Sequence, residues 1–73
     1  MLTEQEAIER AKQVAREQGW GWGEPVLASL QRPWFGPGGK WTVRTNTQRL
    51  GGNARVVIDA QTGEILEKGY LPR

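Results

Sequence analysis

The segment Asn53–Leu66 constrains the fold of this chain more than any other stretch. It opens with the predicted strand Ala54–Asp59, whose β-branched run is typical of a strand rather than a helix. Asp59 and Gly63 then predict a turn, because the aspartate can accept hydrogen bonds from the amides that follow and the glycine can adopt a left-handed conformation. A second short strand, Glu64–Lys68, comes next. The chain must therefore fold back on itself here as an antiparallel hairpin.

An amphipathic helix is predicted near the start of the chain. Thr3 and Glu6 stand three residues apart, which is the pattern of a capping box at a helix N-terminus. Apolar side chains then recur at helical spacing and form one stripe, made of Ala7, Ile8, Ala11, Val14 and Ala15. Gly19 can end the helix in a left-handed conformation. The sequence thus predicts a helix over Glu4–Gln18, and its small side chains permit a close approach to a sheet.

Two further strands are predicted between the helix and the hairpin, Pro25–Gln31 and Lys40–Arg49. A tight turn at Leu50–Asn53, with its two glycines, joins the second of them to the next strand. In the last strand, the pattern leaves open whether Ile65 or Leu66 points inward, because a bulge at the turn would change the parity.

The tight turn also predicts a register for the two central strands. It sets Thr45 opposite Ile58 and gives the pair of strands one apolar face. On the outer face the same register sets Arg44 opposite Asp59, as an exposed ion pair worth less than about 1 kcal/mol.

The expected architecture is α+β, with one N-terminal helix packed on a three- to four-stranded antiparallel β-meander. Its 73 residues indicate a single domain over residues 1–73. The chain contains no cysteine and no histidine, so a disulfide or a typical zinc site cannot stabilise it, and we expect no metal and no cofactor. Packing of the four tryptophans is the expected source of cohesion. Gly69–Arg73 is predicted to be a loose tail unless Tyr70 and Leu71 hold it in place.

Aromatic side chains in two glycine-rich segments are the first candidate binding residues. Trp20 and Trp22 alternate with glycines, and we favour the interpretation that their rings close one end of the core. Trp34 and Phe35 lie in a segment rich in proline and glycine, where folding back over the core and contact with a partner are equally good interpretations. The leading hypothesis is a protein or peptide site with Trp34 and Phe35 as anchors, Arg32 at the rim, and the Trp20/Trp22 pair as a further aromatic surface.

A basic sheet face is the alternative candidate. No acidic residue lies between Glu24 and Asp59, and the predicted strands place four polar side chains on one face: Arg44, Asn46, Gln48 and Arg55. Such a face can bind single-stranded nucleic acid when an aromatic side chain stacks on the bases. The net charge of only +2, and the lack of an aromatic residue on this face in the predicted register, make nucleic acid the less favoured partner.

Catalysis and membrane insertion find little support in the sequence. Without histidine or cysteine the commonest acid–base and nucleophilic groups are missing, so we predict that the protein is not an enzyme and assign no catalytic residue.

No stretch approaches the roughly 20 apolar residues of a membrane span. The start of the chain does not resemble a signal peptide, so a cytoplasmic location is expected if the chain is complete, and an exported one if a leader was removed. A homodimer stays open, since an uncovered sheet face would favour one.

The helix, the Trp41–Val43 strand and the segment Arg55–Leu66 together resemble the PepSY family. The resemblance implies a helix packed on a curved antiparallel sheet, and a non-catalytic module that inhibits or modulates a protein partner, with a peptidase as one candidate. Asp59, Thr62 and Gly63 match the turn of the family's final hairpin, and we expect them to have a structural role. Similar hairpins occur in immunity proteins with a nuclear-transport-factor-like fold, so toxin immunity is a further alternative.

Overall fold

The structure, a computed structural model, describes residues 2–33, 38–48 and 51–71. One helix is followed by four strands, with these bounds: α1 (Glu4–Gln18), β1 (Leu27–Gln31), β2 (Lys40–Arg44), β3 (Asn53–Asp59) and β4 (Ile65–Leu71). The strands form one antiparallel sheet in the order β1-β2-β3-β4. The expected α+β meander with a single N-terminal helix is therefore confirmed, in its four-stranded form.

Local hydrogen bonds set the limits of α1. The Thr3 side chain accepts a hydrogen bond from the Glu6 backbone N–H at 3.2 Å, and the Glu6 carboxylate accepts one from the Thr3 N–H at 2.9 Å. These bonds, first that of the Thr3 backbone, hold the pKa of Glu6 below its usual value. At the other end Gly19 adopts a left-handed conformation with φ of 73°. The helix begins and ends where the sequence predicted.

The alanine stripe of α1 packs on one side of the sheet. The helix lies over β1, β2 and β3. Its buried side chains share a core with residues of the two central strands and the turn that follows β3: Ala7, Ala11, Val14, Trp41, Val43, Val56, Ile58 and Ala60. Burying a side chain such as Ile58, which is 0% exposed, contributes about 2 kcal/mol. Trp41 is also tied to the N-terminal segment, because its indole Nε1 donates a hydrogen bond to the Leu2 carbonyl at 3.0 Å.

The register of β2 and β3 differs from the predicted one. β2 ends at Arg44 rather than Arg49, and Trp41 instead of Thr45 faces Ile58. Arg44 consequently faces Arg55, and the predicted pairing of Arg44 with Asp59 is wrong. The shift is an even number of residues, so each side chain keeps its face of the sheet although its partner changes.

A network of side-chain hydrogen bonds explains why β2 ends early. The Asn53 amide nitrogen donates to the carbonyls of Thr45 and Asn46 at 3.0 and 2.7 Å, and its Oδ1 accepts from the Gly51 N–H at 2.8 Å. The Thr45 hydroxyl accepts from the Ala54 N–H at 2.9 Å. The connection between β2 and β3 therefore begins at Thr45, and the tight turn predicted at Leu50–Asn53 is wrong.

β4 is longer than predicted and contains a bulge. It pairs with β3 as far as Leu71, which faces Asn53, so the alternative that Tyr70 and Leu71 hold the end of the chain in place is confirmed through Leu71. Ile58 faces Ile65 while Val57 faces Glu67, which leaves the intervening Leu66 as the extra residue of the bulge. Ile65 packs against the core and Leu66 is 47% exposed, and this answers the question of parity that the sequence left open.

The turn between β3 and β4 follows the prediction. Asp59 Oδ1 accepts hydrogen bonds from the backbone amides of Thr62 and Gln61, at 3.1 and 2.8 Å, and these bonds lower the pKa of Asp59. Gly63 has a φ of 79°, and its carbonyl accepts a hydrogen bond from Arg10 Nη1 at 3.4 Å. The turn is thereby tied to α1, and the expected structural role of its residues is confirmed.

Candidate partner-binding surface

The side of the sheet opposite α1, called here the open face, has no helix over it among the described elements. Alternation along the paired strands places on this face the side chains of Leu27, Ser29, Gln31, Thr42, Arg44, Arg55, Val57, Glu67 and Leu71, with Gly69 at a position that has no side chain. Its centre is filled, since Val57 is only 2% exposed between its register partners Thr42 and Glu67. Space for a ligand is therefore found towards the ends of the sheet.

Two arginines face each other on this surface. Arg44 and Arg55 are register partners on β2 and β3, and like charges directly opposite each other destabilise a sheet. Arg55 Nη1 lies 3.9 Å from Glu67 Oε2, and the two side chains are 55% and 63% exposed, so this ion pair contributes little. Within the described ranges Arg44 forms no ion pair. This arginine pair leaves the open face with an excess of positive charge.

An apolar depression adjoins the arginine pair where β1 and β3 begin and β2 and β4 end. Leu27 and Leu71 line it, with 46% and 52% of their surfaces exposed, and Gly69 and both arginines contribute to its walls. We call it the leucine groove; its volume is about 670 Å³. A Cβ added at Gly69 would meet no atom within 4 Å, so the absence of a side chain there keeps the groove open.

Trp20 and Trp22 are not brought together with Arg32. Trp20 stacks on Tyr70, with ring centroids 5.5 Å apart and planes 12° from parallel, and both Trp20 and Trp22 pack against the core. This agrees with the interpretation that their rings close one end of the core. Arg32 is exposed and follows β1 at the opposite end of the sheet. Trp34 and Phe35 lie outside the described residues.

The structure places two of the four residues of the alternative basic face together. Arg44 and Arg55 share the open face, but Asn46 is only 7% exposed, and its side chain donates to the Gly51 carbonyl at 3.1 Å. Gln48 is exposed but lies beyond the end of β2. The prediction that all four residues share one strand face is therefore wrong, because the strand ends at Arg44.

Sequence reasoning missed the leucine groove. The sequence pattern places Leu27 in an alternating strand but leaves open whether Leu71 belongs to a loose tail or is held in place, so it gives no reason to place the two residues together. The available signal was Tyr70 close beyond the predicted strand, because aromatic residues are enriched in strands. It was obscured by the bulge at Leu66.

Structural contacts explain the lowered pKa values of two carboxylates. The helix cap lowers the pKa of Glu6, and the turn after β3 lowers the pKa of Asp59. Within the described ranges no group of three or more Asp, Glu, His or Cys residues is placed to hold a metal ion. No helix in the described part of the chain is long and apolar enough to cross a membrane.

Comparison with known families agrees with this fold. The family model of PepSY, described as the peptidase propeptide and YPEB domain, matches residues 1–68. The chain belongs to the PepSY family. No curated protein and no solved structure matches it. The PepSY domain is a peptidase propeptide- and inhibitor-like module, which is consistent with a non-catalytic, regulatory role. The match ends before Gly69 and Leu71, so the last part of the leucine groove lies outside the matched segment.

Proposed function

We propose that this PepSY domain is a non-catalytic module that binds a peptidase and inhibits or modulates it. The observation that supports this most directly is the open face of the sheet, which combines exposed leucines with an arginine pair. Arginine is typical of the residues that carry binding energy at protein interfaces, and contiguous exposed apolar side chains mark such interfaces. The family match supplies the class of partner, since the family is described by its peptidase propeptides.

A rigid sheet suits an inhibitory contact. The open face is backed by the buried residues Val43, Val56 and Ile58, which hold the strands against α1. Side chains on such a scaffold lose little conformational freedom when a partner binds, and this lowers the free-energy cost of association. The domain can therefore bind a peptidase without first having to become ordered.

Titration against a panel of purified serine, cysteine, aspartic and metallopeptidases tests this proposal. Hydrolysis of a fluorogenic peptide by at least one of them should decrease as the domain is added, while electrophoresis shows that the domain remains intact. A Val43→Asp variant, with a charge in place of a buried core side chain, serves as an unfolded control that competes only as a substrate. Unchanged hydrolysis across the whole panel with a folded domain would reject the proposed function.

Trp34 and Phe35 are proposed as additional anchors for the partner. The sequence supports this, because the two adjacent aromatic residues stand between Pro33 and Gly36. The exposed Arg32 comes just before Pro33. Replacing both aromatic residues with alanine should weaken inhibition of the responsive peptidase by about tenfold or more. Unchanged inhibition by a variant with an intact circular dichroism spectrum would remove these two residues from the interface.

A further inference from the structure

The arginine pair and the leucine groove lie next to each other on the open face. Both guanidinium-bearing side chains contribute to the groove that Leu27 and Leu71 line. A second, smaller depression of about 220 Å³ reaches the same two arginines from the other side and is lined by the polar side chains of Ser29, Gln31 and Thr42. The two positive charges thus stand between an apolar depression and a polar one.

We propose that the arginine pair and the leucine groove form a binding site for an extended segment of a partner protein in which a carboxylate side chain stands two residues from a leucine-like side chain. The carboxylate lies between Arg44 and Arg55, and the apolar side chain lies over Gly69 beside Leu71. This proposal deepens the proposed function and rests on it for the identity of the partner as a peptidase.

Charge complementarity favours an acidic segment. The two arginines are placed opposite each other at a cost to the sheet, and a carboxylate between them would convert this repulsion into two charge-assisted hydrogen bonds. Glu67 already places a carboxylate oxygen 3.9 Å from Arg55, at a distance too long for a hydrogen bond. Among the described residues, the two guanidinium groups therefore have no carboxylate at hydrogen-bond distance.

The dimensions of the groove suit a short extended peptide. Its lining residues come from all four strands, which are spaced about 4.8 Å apart, so the groove crosses roughly 14 Å of sheet. Extended chain rises about 3.3 Å per residue, and the groove therefore spans about four residues of a ligand. Alternate side chains of a strand point to the same side and are about 6.6 Å apart, which is close to the step from the arginine pair to the Gly69 position on β4.

Three substitutions separate binding from folding. Arg44→Gln and Arg55→Gln remove charges from exposed side chains and relieve the repulsion between them, so stability should be unchanged or slightly higher. Gly69→Val places a side chain in open space within a strand, which suits the strand but fills the groove. Arg16→Gln, an exposed arginine on α1 and therefore on the other side of the sheet, is the matched control for loss of charge.

The experiment is a nuclear magnetic resonance titration of the isotope-labelled full chain with the capped peptide acetyl-Leu-Gly-Glu-Gly-Leu-amide, whose leucines stand two residues from the glutamate. The comparison peptide has glutamine in place of glutamate. We expect the glutamate peptide to shift the side-chain Nε–H resonances of Arg44 and Arg55 and the amides of Leu27 and Leu71, with a dissociation constant of about 1 mM or tighter. The glutamine peptide should bind about tenfold more weakly, and affinity for the glutamate peptide should fall several-fold between 20 and 300 mM salt, since these charges are exposed.

The variants give the deciding comparison. Arg44→Gln and Arg55→Gln should each weaken binding of the glutamate peptide about threefold, Gly69→Val about tenfold or more, and Arg16→Gln not at all. Equal affinity for the two peptides, or shifts confined to other surfaces, would overturn the proposal. Tighter binding of a single-stranded oligonucleotide to the same arginines would also overturn it, in favour of nucleic acid.

The same variants distinguish this site from the proposed function. They are added to the peptidase that responds to the unaltered domain, and the inhibition is compared. Weaker inhibition by Arg44→Gln, Arg55→Gln and Gly69→Val supports the site as the point of contact. Full inhibition by all three variants would reject the site but leave the inhibitory function intact. If no peptidase of the panel responds to the unaltered domain, the proposed function is rejected, and the peptide titration still tests the site by itself.

Discussion

Replacing Asn53 tests the account of how β2 ends. Its side-chain amide joins three backbone groups of the connection between β2 and β3: the N–H of Gly51 at 2.8 Å and the carbonyls of Thr45 and Asn46 at 3.0 and 2.7 Å. An Asn53→Ala variant loses all three of these bonds at once. Gly51 is buried, so its amide is then poorly placed to find water.

The expected loss of stability is large for a domain of this size. Each of the three hydrogen bonds contributes about 1 kcal/mol net, so Asn53→Ala should destabilise the fold by about 2–3 kcal/mol. A chain of 73 residues has a total stability of about 4–11 kcal/mol at the usual value per residue. The melting temperature should therefore fall by about 10–20 °C.

Urea unfolding followed by tryptophan fluorescence measures this loss. Gln48→Ala is the matched control, because Gln48 is an exposed amide in the same connection, and its replacement should change stability by less than about 0.5 kcal/mol. Asn53→Asp has the same shape and keeps the acceptor for Gly51, but it directs an oxygen at two carbonyls instead of an N–H₂ group. At pH 7 it should be at least as destabilising as alanine.

Two results would refute the reasoning. An Asn53→Ala variant within about 0.5 kcal/mol of the unaltered protein would mean that the side chain does not determine where β2 ends. An Asn53→Asp variant clearly more stable than Asn53→Ala would mean that the two donated hydrogen bonds contribute less than the one accepted.

Three further predictions concern the turn and the end of the core. Gly63→Ala should lower the free energy of unfolding in urea by about 1–2 kcal/mol, because φ is 79° and the added Cβ would lie 2.7 Å from Arg10 Cζ. The same loss in an Arg10→Ala background would show that the clash with Arg10 does not contribute to it. The turn amides hold the pKa of Asp59 below its value of about 3.9 in the unfolded chain. The Asp59 carboxylate therefore stabilises the fold above about pH 4, and this stabilisation is lost as the pH falls through the pKa of the folded state. Asp59→Asn should therefore flatten part of the acid loss in unfolding midpoints between pH 2 and 7, and an unchanged slope would contradict this. Trp20→Ala should lower stability by about 1–3 kcal/mol through loss of its stacking on Tyr70, whereas a loss no greater than that of an exposed side chain would contradict the packing described.

The elements that sequence reasoning predicted well depend on neighbours close along the chain. The capping box joins residues three apart, and Asp59 accepts hydrogen bonds from amides two and three residues ahead. The single apolar face predicted for the two central strands is confirmed, with Trp41, Val43, Val56 and Ile58 in the core, because alternation has a period of two and is unchanged by any even shift of register. Such features depend only on residues that are close together in the sequence.

The candidate surface depends on contacts that local order does not contain. The partner of Arg44 was wrong because β2 ends where Asn53 hydrogen-bonds to carbonyls seven and eight residues earlier. Leu71 lines the groove because β4 continues along β3 beyond the bulge. Tyr70 stacks there on Trp20, which is 50 residues earlier in the chain.

The amino-acid sequence by itself determined the helix, the final turn and the side of the sheet to which each central-strand residue points. These follow from hydrogen bonds and periodicities that span only a few residues. Tertiary structure alone decided that Arg44 stands opposite Arg55 and that a leucine-lined groove lies beside them. Register and strand length are set by competition among pairings between distant segments. A side-chain network that ends β2 early therefore changes the cross-strand partner of each residue in β2 but not the side of the sheet to which its side chain points.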